Sequence, residues 1–218
     1  MFGRGRHRKG RGGRRVDELA VAVEQVREQH DEPADGPFDE ADAPDDDVAR
    51  LDLGSIRVPL PDGAQLQVEM DKSGVVGAVH VLIELGQLTI TAFAAPRSAP
   101  LWSEIRTEIG QKLREDGARV DEIFDGPWGR EMHVVTQQAT LRFVGVDGPR
   151  WMLRGVAAGP PATHDELVDV LYDVMGGTVV VRGVEPLPVR SQLPLVLPGA
   201  MAEQLKQVAA AQQGQQPG

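Results

Sequence analysis

The chain has no cysteine in 218 residues, which excludes disulfides, thiolate metal sites and cysteine nucleophiles. No apolar run approaches the length of a membrane span. The stretch after the basic N-terminus, Val16-Asp17-Glu18-Leu19-Ala20-Val21-Ala22-Val23-Glu24, is interrupted by acids and has too few apolar residues for the hydrophobic region of a signal peptide. The expected compartment is therefore the cytoplasm. Enzyme motifs are missing too: no Gly-rich phosphate loop precedes a helix, no His-x-x-x-His or His-Glu pair sits at metal spacing, and no Gly-x-Ser-x-Gly elbow occurs. No catalytic residue, cofactor or metal site is expected. Lysine is rare beside arginine, 4 against 19, a bias of genome composition more than of chemistry.

Charge is plentiful and sorted by position. Residues 1–15 carry seven Arg/Lys and no acid, and residues 31–47 carry nine Asp/Glu and no base. The whole chain stands at −10; with +7 in the arm and −11 in residues 16–50, residues 51–218 hold −6. An acidic folded part argues against a broad nucleic-acid footprint there. The arm is different, because Arg4, Arg6, Arg8, Lys9, Arg11, Arg14 and Arg15 form a cationic string able to contact nucleic acid through counterion release. Its plainer reading is a solvated tail, or one that folds back on the acidic stretch.

Periodicity divides the chain into a mostly disordered arm and linker at 1–50, a globular domain at 51–185 and a Pro-rich strap with a Gln/Ala-rich tail at 186–218. Leu19, Val23 and Val26 predict a short amphipathic helix within 16–30. The acidic stretch, with Pro33, Pro37 and Pro44, cannot bury enough apolar surface to fold by itself. From Leu51 the period is two. Ile56, Val58 and Leu60, the turn Pro61-Asp62-Gly63, and Leu66, Val68 and Met70 read as a hairpin. A turn at Leu85-Gly86 joins strands at 75–84 and 87–94, with Val79, Val81 and Ile83 on the same face as Leu88, Ile90 and Ala92.

Pro100 then opens a helix whose stripe is Leu101, Ile105, Ile109 and Leu113, with Trp102 beside it and Gly117 at its end. Strands at 120–124, 130–136, 139–146 and 150–156 lead to a second helix. Thr163-His164-Asp165-Glu166 reads as its capping box, and Leu167, Leu171 and Val174 as its buried stripe. The expected fold is α+β: an antiparallel sheet of two meander halves, with helices packed on one face and an internal duplication suggested.

The strings Gly126-Pro127-Trp128-Gly129-Arg130-Glu131 and Gly148-Pro149-Arg150-Trp151-Met152-Leu153-Arg154-Gly155, with the plan of arm, linker and domain, resemble an actinobacterial family of unknown function over roughly residues 50–200. The resemblance implies no activity and transfers no catalytic residue.

The candidate site comes from hairpin registers. A two-residue turn at Gln137-Gln138 sets Val134 against Leu141, Met132 against Phe143 and His133 against Arg142. A three-residue turn at Asp147-Gly148-Pro149 sets Phe143 against Leu153 and Arg142 against Arg154. His133, Arg142 and Arg154 then form one row on the face opposite the core, with Glu131 one pleat away as a counter-charge. Trp128, in its turn, is an aromatic that either plugs a core edge or binds a partner. These residues predict a cytoplasmic binding or adaptor domain that recognises a protein or anionic partner through a basic sheet face. The alternatives are a nucleic-acid-associated protein using the arm, and a small enzyme for an anionic substrate, which needs a deep pocket beside His133.

Overall fold

A computed structural model of the chain describes residues 36–71, 75–199 and 201–203, so the basic arm, the helix expected within 16–30 and the tail beyond 203 lie outside the described residues. In chain order the strands are β1 (Phe38–Asp39), β2 (Arg50–Asp52), β3 (Ile56–Pro59), β4 (Gln65–Met70), β5 (Val76–Ile83), β6 (Gly86–Ala94), β7 (Arg119–Gly126), β8 (Gly129–Val135), β9 (Thr140–Gly148), β10 (Trp151–Gly159) and β11 (Val179–Val180). Helix α1 (Trp102–Glu115) lies between β6 and β7, and α2 (His164–Gly176) between β10 and β11. Seven strands make one antiparallel sheet in the order β4-β5-β6-β10-β9-β8-β7, and β1-β11-β3-β2 form a smaller one. The class is α+β. The large sheet is two meanders, joined where β6 pairs with β10.

The helices do not share a face. Gly155 of β10 lies under Met175 of α2, whereas Gly145 of β9 lies under Trp102 of α1; a Cβ on Gly145 would stand 2.1 Å from the indole. Gly155 pairs with Val144, whose neighbour Gly145 points the other way, so the two helices cover opposite faces. The expected single helical layer is therefore corrected to one helix on each side, and the meanders do not use their helices as repeats would. Beneath α2 lies the main core, with Leu88, Ile90, Leu153, Ala157, Leu167 and Leu171 at its centre. Beneath α1 lies a smaller cluster of Leu101, Trp102, Met132, Val134 and Met152.

Three further expectations change. β3 and β4 do not form a hairpin: β2 and β11 already occupy the two edges of β3, so the chain leaves for the large sheet at the Pro61-Asp62-Gly63 turn. The buried ridge of α1 is Trp102, Arg106 and Gly110, with Ile105, Ile109 and Leu113 half-buried along its flank. Its N-terminus is capped from across the sheet, where Asp147 accepts from the backbone N–H of Leu101 (2.6 Å) and Trp102 (3.1 Å). At α2 the capping box does not form. Thr163 makes no side-chain cap, and its hydroxyl donates weakly to the Leu85 carbonyl at 3.5 Å instead.

The acidic stretch is structured from residue 36 on. β1 pairs in parallel with β11, the Gly36 carbonyl accepts from the Trp128 indole (2.6 Å), and Asp39 accepts from the Trp151 indole (2.8 Å). Arg50 bridges Asp46 (2.7 Å) and the Gly177 carbonyl (2.7 Å). These groups close the open ends of partners far away in sequence, which local composition does not register. The Pro-rich strap is likewise docked: Leu193 donates its backbone N–H to the Ala92 carbonyl (2.9 Å), and Leu193 and Leu195 are buried in the main core. Arg190 of the strap pairs with Glu108 and Glu104 of α1. No described helix is long and apolar enough to cross a membrane.

Candidate functional site

The β8–β9 register is the expected one, with His133 opposite Arg142 and Met132 opposite Phe143. The β9–β10 register is not. Trp151 faces Gly148 and Arg154 faces Gly145, so the turn is Pro149-Arg150, with Arg150 at φ 62°. Gly148 is needed in the strand, because a Cβ there would stand 2.1 Å from the Trp151 ring. The register is displaced by three residues, an odd number, and an odd slip sends side chains to the other face. Arg154 is thereby separated from His133 and Arg142, and the row of three basic residues does not exist.

His133, Arg142 and Glu131 come together under α2. Glu131 is only 1% exposed, and its Oε2 accepts from Arg142 (3.1 Å) and from the Tyr172 hydroxyl (2.8 Å). Burial pushes the Glu131 carboxyl above its usual range, while the Tyr172 and Arg142 hydrogen bonds pull it back. Burial, followed by the nearby Glu131 charge, drives the Tyr172 phenol upward. Trp128 meets Tyr172 edge to face at 6.0 Å and 73°. Since its indole N–H is also taken by Gly36, Trp128 plugs a core edge. Tyr172 was not among the residues singled out from sequence, and His164 was read only as part of the capping box. Their signal was the i, i+4 ridge His164, Val168 and Tyr172, running beside the Leu167 and Leu171 stripe.

His164 begins α2 and is 3% exposed, with neither ring nitrogen partnered. Its ring lies 5.5 Å from that of His133, and Nδ1 of His133 stands 3.9 Å from Asp121. Burial, then the charges of His133 and Arg142, lower the His164 pKa, against a smaller opposing effect of Asp165. A histidine with a depressed folded pKa contributes stability that is complete above its unfolded value of 6.5 and is lost as pH falls toward the folded value. Urea melts should therefore show wild type losing more stability than His164→Leu between about pH 7.5 and 5.5. Equal losses would remove His164 from this role.

Arg154 occupies the other face of the sheet. Its guanidinium lies over the Phe93 ring at 4.9 Å, its Nε is sealed without a partner, and among the described residues it makes no ion pair or hydrogen bond. Burial lowers its pKa. Thr91 stands opposite on β6. Helix α1 covers the β7–β8–β9 end of this face, and its apolar cluster takes in Met152 of β10 with Phe143 and Phe93 packed against it. Beyond it, the cross-strand row Gln67, His80, Thr89 and Val156 lies beside Leu82 and Ala158. Leu82 and Val156 are half-buried and pack against neither apolar cluster. His80 is held by Thr89 (2.8 Å) and Gln87 (2.9 Å), with Glu69 at 3.5 Å. The arm residues Arg4, Arg6, Arg8, Lys9, Arg11, Arg14 and Arg15 lie outside the described residues.

The solution structure of cyanobacterial PsbP (CyanoP) from Synechocystis sp. PCC 6803 is similar to the chain at a TM-score of 0.42 and 11% identity, over 66% of this chain and 99% of that one. Among curated proteins, none matches. The model of the family described as "Protein of unknown function (DUF3710)" matches residues 36–204, more than half of the chain, and the chain belongs to that family.

Proposed function

We propose that the domain is a binding module whose contact surface is the uncovered part of the large sheet around Arg154. The observation behind this reading is the strip itself: Leu82 and Val156 belong to neither core, and Arg154, two residues from Val156, has no counter-charge among the described residues. Apolar ground with a sparing charge has the make-up of a protein-contact patch. The alternative of an enzyme acting beside His133 draws no support, since Tyr172 and His164 of α2 lie against that ground. Val156→Glu puts a carboxylate on the strip at a half-buried position, and its cost to the fold should be about 1 kcal/mol. With the full chain as bait in native lysate, a partner held by wild type should be lost by Val156→Glu and kept by the surface control Glu185→Gln. Retention of the same proteins by Val156→Glu would put the contact surface elsewhere.

A further inference from the structure

We infer that Arg154 is the receptor for a single carboxylate, carried by a partner polypeptide that lays an apolar stretch across Val156 and Leu82. This rests on the reading of that face as the contact surface, and it names the chemistry of what binds there.

An arginine whose Nε is sealed from water is ordinarily paired, because an uncompensated cation in a partly dry site is costly. The Phe93 ring beneath the guanidinium relieves that cost only in part. The side chains opposite it on β6 and β9 are Thr91 and Gly145, neither of which supplies an anion. The missing counter-charge therefore comes from outside the described chain.

The number of cations decides which anion. His80, the other basic side chain in the strip, is already engaged by Thr89, Gln87 and Glu69, and Arg106 of α1 on this face pairs with Glu122. One guanidinium matches one carboxylate in a two-point hydrogen bond. Phosphate-bearing partners are held by several cations together, and this surface offers a single one.

Shape decides what carries the carboxylate. Small acids are held in enclosed pockets that cover most of their surface. The cavity bounded by Leu51, Leu53, Ile56 and Ile90 does not reach Arg154, nor does the groove of about 300 Å³ between Pro59, Leu60, Pro61 and Val170. Arg154 itself sits between buried Thr91 and Met152, and beside it the face continues across β10, β6 and β5 as a strip through Val156, Thr89 and Leu82 of which Val156 and Leu82 belong to neither apolar cluster. A polypeptide covers such a strip, and its own apolar side chains match Val156 and Leu82.

The test uses the full chain and two probes, the acetylated, amidated peptide Leu-Val-Glu-Leu-Val and its Gln counterpart, titrated by amide chemical shift. The Glu peptide should perturb Thr91, Arg154 and Val156, and the Gln peptide should bind about tenfold or more weakly. Arg154→Gln should bind both peptides equally. Equal binding of the two peptides by wild type, or no binding of either at millimolar concentration, overturns the proposal. So does preferential binding of decyl phosphate or of decanoate over the Glu peptide. A captured native partner separates the two levels of the reading. Retained by Arg154→Gln but lost by Val156→Glu, it overturns the carboxylate assignment and leaves the surface standing; retained by both, it overturns both.

Discussion

Arg142→Met is expected to destabilise the domain by about 3–5 kcal/mol, the usual consequence of removing one member of a buried ion pair. Arg142 is 13% exposed along its side chain and Glu131 1%, so water cannot take over the lost contact. The Tyr172 hydroxyl would remain as the one hydrogen-bond donor to Glu131 Oε2. Arg154→Gln should cost far less, about 1 kcal/mol at most, because no acceptor within the described chain loses a partner. Chemical denaturation of the two variants side by side checks this contrast. The double replacement Arg142→Met/Glu131→Met should recover part of the single variant's loss, since an apolar pair of similar volume leaves no buried charge behind. An unfolding midpoint unchanged by Arg142→Met would place Arg142 outside the core.

A chain that begins at Leu51 should lose about 4 kcal/mol relative to one that begins at Ala34. Two indole N–H groups lose their acceptors at Gly36 and Asp39, at roughly 1 kcal/mol each. The half-buried Phe38 ring and the Arg50 bridge to Gly177 account for the remainder, at roughly 2 kcal/mol. Thermal unfolding followed by tryptophan fluorescence reports directly, because Trp128 and Trp151 lose the carbonyl and carboxylate they contact. Coincident melts of the two chains would mean that residues 36–50 contribute nothing to the fold.

Sequence periodicity made the class and the two meanders legible, and two turns show where it stopped. At β5–β6 the expected turn was Leu85-Gly86, but Ile83 pairs with Gly86, a register two residues away. An even displacement leaves every face in place, so Val81 still shares its face with Leu88. At β9–β10 the displacement was three, and Arg154 changed sides. Gly148 was the misleading residue: a glycine after aspartate reads as a turn, but here it makes room for the Trp151 ring. That ring also reaches Asp39, a contact 112 residues away that no local pattern encodes.

The candidate site was legible in its parts and not in its assembly. Glu131, His133 and Arg142 were placed near one another correctly, because their hairpin register is fixed by apolar pairs on both strands. Their surroundings were inverted, since nothing in the hairpin itself tells which helix arrives on which face. Tyr172 and His164, the residues that close over them, sit on a helix whose Leu167 and Leu171 stripe drew attention away from the neighbouring ridge.

Hydroxyl-radical footprinting of the full chain, free and bound to a partner captured from native lysate, reads the contact surface at the level of side chains. The account predicts protection of Leu82 and Val156, with exposed Val48, Val184 and Val189 labelled alike in both states. Unchanged labelling of Leu82 and Val156, with protection confined to those outlying valines, would contradict it.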